Sequence, residues 1–171
     1  MHLHKIIDKI KNKNDLSNLK NQLLLSNKKL VFTNGCFDIL HRGHIEYLAK
    51  SADLGDFLLV GVNSDASVKR LNKSPERPIN DEYTRCINLA ALQFIGAVVI
   101  FDEDNPLNLI KTIVPDFLVK GGDYDANETD QSSKKYIIGS DIVKNSGGIV
   151  KTISLVEGYS TTHIIEKIRK K

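Results

Sequence analysis

Residues 30–63 read LVFTNGCFDILHRGHIEYLAKSADLGDFLLVGVN, and two apolar runs frame the stretch. Leu30-Val31-Phe32-Thr33 closes on Asn34-Gly35, and Phe57-Leu58-Leu59-Val60-Gly61-Val62 begins just after Gly55. Neither run alternates apolar with polar residues, which predicts strands covered on both faces of a parallel sheet. Between them Ile45-Glu46-Tyr47-Leu48-Ala49-Lys50 reads as a helix, so the stretch forms a βαβ unit of ordinary size.

The same rhythm runs on toward the C-terminus. A helix is expected from about Asp81 to Gln93, a strand at Ala97–Phe101, a helix after Asn105-Pro106 and a strand at Phe117–Val119. A helix around Ile138–Lys144, a strand at Ile149–Leu155 and a last helix from Ser160 to Lys170 complete the series. Strands alternating with helices predict an α/β fold with a doubly wound, mostly parallel sheet and right-handed crossovers. Upstream, Ile6, Ile7 and Ile10, then Leu16, Leu19, Leu23 and Leu24, are spaced as two short amphipathic helices separated by Asn12–Asn14, with Asp15 as N-cap of the second. The expected organisation is an N-terminal helical extension over residues 1–29 and one domain over 30–171.

The chain has 171 residues, 41% of them apolar and 26% charged, a balance that suits a single domain with one sizeable core. That length leaves no room for a second fused enzyme or a separate tRNA-binding domain. Net charge is +3, but it is unevenly spread: residues 1–29 carry seven Lys and two acids, and the remainder is slightly acidic. No Arg-rich or aromatic-interleaved basic tract occurs, so no nucleic-acid partner is expected. No run approaches the roughly 18 apolar residues that span a bilayer, and the Lys-interrupted N-terminus lacks a secretory h-region. A cytoplasmic location with no membrane partner follows as the expectation, and with it two free thiols, Cys86 reading as a small core residue.

Ligands of such sheets bind beyond the carboxyl ends of the strands, which directs attention to the loops 33–44, 63–85, 120–124 and 157–162. The polar 123–135 stretch reads as a mobile loop. The first loop has neither the dinucleotide glycine fingerprint nor the Gly-Lys-Ser/Thr ending of a P-loop. It offers instead His41 and His44 three residues apart at a helix start, where the dipole favours phosphate, with Gly43 leaving room between them. Two such donors could stabilise charge on a phosphate under attack; they equally suit a helix cap and a packed, hydrogen-bonded ring. A metal site of Cys36, His41 and His44 matches no standard zinc spacing, and no metal ligand is assigned. Near the C-terminus Ser160-Thr161-Thr162 suits an N-cap, yet three hydroxyls exceed what capping needs. Together the two loops suggest a nucleoside triphosphate held between two helix N-termini.

Thr33-Asn34-Gly35-Cys36-Phe37-Asp38, His41-x-Gly43-His44 and Ser160-Thr161-Thr162 resemble the cytidylyltransferase-like nucleotidyltransferase superfamily, which implies a Rossmann-like nucleotidyltransferase fold. Val62-Asn63-Ser64-Asp65, Arg77-Pro78-Ile79-Asn80, Leu118–Tyr124 and Glu157–Thr162 are similar to its D-glycero-β-D-manno-heptose 1-phosphate adenylyltransferase branch. The resemblance runs from about residue 30 to the C-terminus. It implies catalytic roles for His41, His44 and Lys120. It implies nucleotide contacts from Thr33, Asn34, Gly35, Cys36, Phe37, Gly43, Gly121, Ser160, Thr161 and Thr162. Lys69, Lys73, Arg77 and Arg85 fall where relatives place cations for the acceptor phosphate, with Asn63 nearby. Asp38 and Asp123 are candidates for acceptor hydroxyls or magnesium contacts. Many members place an Arg soon after the final motif, whereas here Arg169 comes seven residues after Thr162.

The activity implied is transfer of AMP from ATP, with Mg2+, to a sugar 1-phosphate, giving an ADP-sugar and pyrophosphate. Competing readings are a cytidylyltransferase acting on glycerol 3-phosphate or a similar phospho-alcohol, and a nucleotide-binding regulator without catalysis. Relatives imply a homodimer, and the length implies a sugar kinase on a separate chain.

Overall fold

A computed structural model describes residues 1–72 and 75–169. In chain order the elements are α1 (His2–Ile7), β1 (Ile10–Lys11), a 3-10 turn (Lys13–Asp15), α2 (Leu16–Leu25), β2 (Leu30–Gly35), α3 (Arg42–Ala52), β3 (Phe57–Asn63) and α4 (Asp65–Arg70). They continue with α5 (Glu82–Ala90), β4 (Ala97–Phe101), α6 (Leu107–Ile113), β5 (Phe117–Gly121), α7 (Ser140–Asn145), β6 (Ile149–Ile153) and α8 (Thr161–Arg169). The six strands form one sheet in the order β1-β4-β3-β2-β5-β6, and every pairing is parallel.

The absence of alternation in the strands now has its cause. Successive residues of β2 enter opposite cores: Phe32 packs with Leu59, Phe101, Ile110 and Leu118 on one face, and Val31 packs with Leu48, Val60, Leu89 and Val98 on the other. Both faces are covered by helices, so both need apolar side chains. Cys86 lies in the second core, fully buried, and both cysteines are free thiols.

The direction of winding reverses at β2. From it the chain steps through β3 to β4 on one side, and β5 and β6 lie on the other. A crevice opens at such a reversal, beyond the carboxyl ends of the strands. β2 and β3 run in register from Leu30 opposite Phe57 to Gly35 opposite Val62, so their carboxyl ends finish level and deliver both following loops to that crevice.

Three local features differ from the sequence expectation. Ile10, read as part of a helix, lies in β1, where it pairs with Val98 and closes the edge that β4 would otherwise expose. The remainder of the N-terminal segment is anchored from below, with Leu16 and Leu23 in the first core. Asp15 stands at the N-cap of α2 without a side-chain hydrogen bond. The loop after β3 contains the unforeseen helix α4, capped by Ser64 Oγ, which accepts the Ser67 N–H at 3.0 Å. No helix among the described residues is long and apolar enough to cross a membrane.

Candidate active site

The carboxyl ends of β2, β3 and β5 and the N-termini of α3 and α8 surround a cavity of about 610 Å³. Its floor is set by a turn in the first loop. Phe37 adopts a positive φ of 48°, and its ring folds back to 3.0 Å from where a Cβ on residue 35 would stand, so a side chain there would press on the ring and Gly35 leaves it room. His41 then has extended backbone (φ −141°, ψ 169°) and caps α3, its Nδ1 accepting the backbone N–H of His44 at 3.3 Å. A ring nitrogen that accepts is unprotonated, so the proton of neutral His41 resides on Nε2.

The two imidazoles stack, with centroids 3.8 Å apart and planes 20° from parallel, and His44 meets the Phe37 ring edge-on at 5.3 Å. A Cβ on Gly43 would stand 3.1 Å from His41 Nδ1 and 3.3 Å from Tyr159 Cβ, so the bare backbone at that position keeps the helix terminus open. Burial lowers the pKa of both rings. For His44 it reaches about 4, chiefly from burial and then from repulsion by His41, once that ring is protonated, and by Arg77, with an Ile39 backbone contact offsetting only part. Both are therefore neutral donors at pH 7. His44 Nδ1 is shielded from solvent and has no well-formed hydrogen bond among the described residues, and the same holds for Asn34 Oδ1.

Fifteen of the positions singled out in the sequence line this cavity: Asn34–Phe37, His41, Gly43, His44, Asn63, Arg77, Lys120, Gly121, Asp123 and Ser160–Thr162. Lys120 leaves β5 with Nζ 5.3 Å from the Tyr124 ring. Ser160 Oγ accepts the His163 N–H at 3.0 Å, which caps α8 while Thr161 and Thr162 face the same space. Asn63 donates to Ser67 Oγ at 2.9 Å and holds its carbonyl 4.0 Å from Cys36 Sγ, linking β3 to the first loop.

Four of the remaining five positions do other work or stand elsewhere, and Lys73 lies outside the described residues. Thr33 is fully buried behind the cavity, its hydroxyl 2.7 Å from that of Tyr47. Lys69 is exposed on α4, away from the cavity lining. Arg85 is fully buried and donates to the Cys36 carbonyl (2.7 Å), Asp65 (2.9 Å) and the Asn80 carbonyl (3.1 Å), so its guanidinium braces loops instead of facing a ligand. Asp38 is likewise buried, its carboxylate accepting from Arg77 Nε (3.1 Å) and from the Ile79 and Asn80 N–H groups (2.9 Å each). Arg169 pairs with Glu76.

Other lining residues were given no role by the sequence: Tyr124 and Tyr159, which fall within quoted motifs, and Tyr47, Leu155 and the Asp104-Asn105-Pro106 segment, which do not. That segment directly follows β4, so the rule that ligands lie beyond strand carboxyl ends was enough to find it. The three tyrosines come from α3, the loop after β5 and the loop before α8, and carry no shared spacing. Among the described residues no group of three His, Cys, Asp or Glu side chains is placed to hold a metal ion.

The profile of the family described as cytidylyltransferase-like matches residues 32–167. "Bifunctional protein HldE" of Campylobacter jejuni subsp. jejuni serotype O:2 is 53% identical over 95% of this chain, and that of Geotalea uraniireducens is 50% identical over 98%. The chain spans about a third of the length of these relatives, 32% and 33% respectively. Among solved structures, the lipopolysaccharide core biosynthesis protein from Thermoplasma volcanium GSS1 superposes with a TM-score of 0.56 at 29% identity, over 78% of this chain and 99% of its own. Pantoate-beta-alanine ligase from Francisella tularensis, at 12% identity and a TM-score of 0.57 over 95% of this chain and 78% of its own, shares the fold. With four-fifths of its length matched, the chain belongs to the cytidylyltransferase-like family.

Proposed function

We propose that the chain is an adenylyltransferase that moves AMP from ATP to a sugar 1-phosphate, D-glycero-β-D-manno-heptose 1-phosphate, releasing pyrophosphate. The observation that carries this is the stacked pair of neutral imidazoles at the N-terminus of α3, sharing one cavity with the hydroxyl-rich N-terminus of α8 and with Lys120 and Arg77. Two helix termini, two imidazole donors and two cations suit a polyphosphate and offer nothing to a hydride or an acyl group. The heptose assignment rests on the motifs around Asn63, Arg77, Lys120 and Ser160, together with relatives named for lipopolysaccharide core biosynthesis and HldE.

An oxygen of the acceptor phosphate attacks the α-phosphorus, the bond from that phosphorus to the bridging oxygen breaks, and pyrophosphate departs. A phosphate monoester with its second pKa near 6 is already ionised at pH 7, so no general base is needed. The chain supplies position and charge: the His41 and His44 donors beside the α- and β-phosphates, the α8 terminus at the β- and γ-phosphates, and Lys120 beside the nucleotide. Mg2+ arrives as part of the substrate, bound to phosphate oxygens. A cavity with carboxylates but no preformed cluster suits an ion that keeps most of its ligands from phosphate and water, with Asp123 available to it. We take the cytoplasm as its compartment, since ATP is consumed and Cys36 and Cys86 are free.

The test is pyrophosphate release with Mg2+ across ATP, CTP, GTP and UTP, each with heptose 1-phosphate, other sugar 1-phosphates and glycerol 3-phosphate. Release with ATP and heptose 1-phosphate is expected; release confined to CTP and glycerol 3-phosphate would overturn the reading.

A further inference from the structure

Of the four cations that the sequence offers for the acceptor, one combines burial with a place in the cavity. Arg77 is 8% exposed and lines the cavity, and its Nε donates to Asp38 at 3.1 Å. Lys69 is outside the lining, and the guanidinium of Arg85 is engaged three ways inside the protein.

Asp38 does more than pair with Arg77. Its carboxylate also accepts the backbone N–H groups of Ile79 and Asn80, and its own carbonyl accepts Asn80 Nδ2 at 2.5 Å. The loop that carries the nucleotide-side residues and the loop that carries Arg77 are thereby joined at one buried carboxylate. Arg85 joins them a second time through the Cys36 and Asn80 carbonyls. A guanidinium fixed along its Nε edge keeps its terminal nitrogens in one plane and one direction, which suits a forked grip on a dianion.

Resting on the proposed reaction, we infer that Arg77 grips the acceptor's phosphate monoester and that Asp38 is the positioning residue that aims it, without touching substrate. The location agrees with the chemistry. Arg77 and the two imidazoles line one cavity, so a phosphate held by Arg77 shares that space with the rings that meet the α-phosphate. Arg85, through the two carbonyls, keeps both loops in register. Asp38, buried and already accepting from three protein donors, then faces neither sugar hydroxyls nor magnesium.

Steady-state kinetics on the full chain test this, with KM for each substrate read separately. Arg77→Lys retains the charge but loses the fork and the Nε bond to Asp38. It is expected to raise KM for the sugar 1-phosphate about tenfold to a hundredfold, the range for losing hydrogen bonds to a charged group, with KM for ATP within about twofold. Asp38→Asn is expected to do the same, and the double variant with Arg77→Ala is expected to be no worse for the acceptor than Arg77→Ala alone, because Asp38 acts through Arg77. The inference is overturned if Arg77→Lys binds the acceptor normally, if Asp38→Asn raises both KM values in parallel, or if its effect adds in full to that of Arg77→Ala. Should Asp38→Asn not fold, Arg77→Lys alone decides. Wild-type protein that releases no pyrophosphate from ATP and any sugar 1-phosphate is the separate failure of the proposed reaction.

Discussion

His41 Nδ1 accepts the backbone N–H of His44 while the two imidazoles lie stacked 3.8 Å apart. One ring therefore has two separable duties. Its Nδ1 caps α3, which leaves Nε2–H as the donor that the proposed reaction gives to a phosphate. Asparagine can reproduce the first duty, since its carbonyl oxygen is a good N-cap acceptor, but not the second. His41→Asn is expected to melt close to wild type and to lose about a hundredfold or more in kcat, the scale for removing a preorganised donor. His41→Ala loses both, and the missing cap costs about 1 kcal/mol. Thermal melts beside single-turnover rates separate the two effects, and a fully active His41→Asn variant would exclude the donor role.

The depressed His44 pKa makes stability depend on pH in a known direction. An unfolded His titrates near 6.5, whereas the folded ring titrates at about 4. Between those values the unfolded chain binds a proton that the folded chain does not, so stability is full above about 6.5 and falls as pH drops toward 4. The slope from this ring is at most about 1.4 kcal/mol per pH unit. His41, also lowered by burial, adds in the same sense. Urea denaturation at pH 7, 6 and 5 reads the slope, and His44→Asn should flatten it. Asp81, Glu103 and Asp116, whose pKa values are lowered, contribute a loss of stability in the same sense as pH falls toward the unfolded carboxylate range near 4, so the step from pH 7 to 6 reads the imidazoles most cleanly.

The N-terminal segment is expected to be required for folding. Leu16 is 1% exposed in the core that also holds Ile110 and Ile113, and Lys20 Nζ donates to the Val114 carbonyl at the end of α6. Leu16→Ala is expected to destabilise by about 2–5 kcal/mol, the range for emptying a packed leucine site. Removing residues 1–28 would also strip β1 from the edge of β4. Sizing and circular dichroism of that truncation check it; a truncated chain with wild-type stability and activity would show the segment to be dispensable.

What the sequence made legible follows from how local the physics is. The strand at Ala97–Phe101 has the bounds expected of it because an unbroken apolar run can only be covered on both faces. β1 was not legible, since two residues that include Lys11 carry no periodicity and exist only because β4 offers an edge. The histidine loop and the hydroxyl motif were found because their chemistry is contained in a few consecutive residues. Asp38 and Arg85 show the opposite case. Their charge suggested a ligand, but partners that occupy them, Arg77, Asp65 and the Cys36 carbonyl, lie 20 to 49 residues away. A sequence names the charge and leaves its partner to the fold.

Gly43 provides the sharpest steric test of the cavity. It is buried in the first turn of α3, a helical position where alanine would ordinarily be favoured. Here an added methyl would stand 3.1 Å from His41 Nδ1, 3.2 Å from its Cε1 and 3.3 Å from Tyr159 Cβ, so the imidazole or the segment before α8 must give way by a few tenths of an ångström. The helix itself gains propensity while the open space that the bare Gly43 backbone leaves beside the stacked rings is lost. Gly43→Ala is therefore expected to keep its melting temperature within a few degrees and to lose ATP affinity and turnover together, by about tenfold or more for a displaced catalytic group. Isothermal titration with MgATP alongside a thermal melt reads both quantities. Normal ATP binding by a folded Gly43→Ala protein would mean that the triphosphate does not pass over the N-terminus of α3.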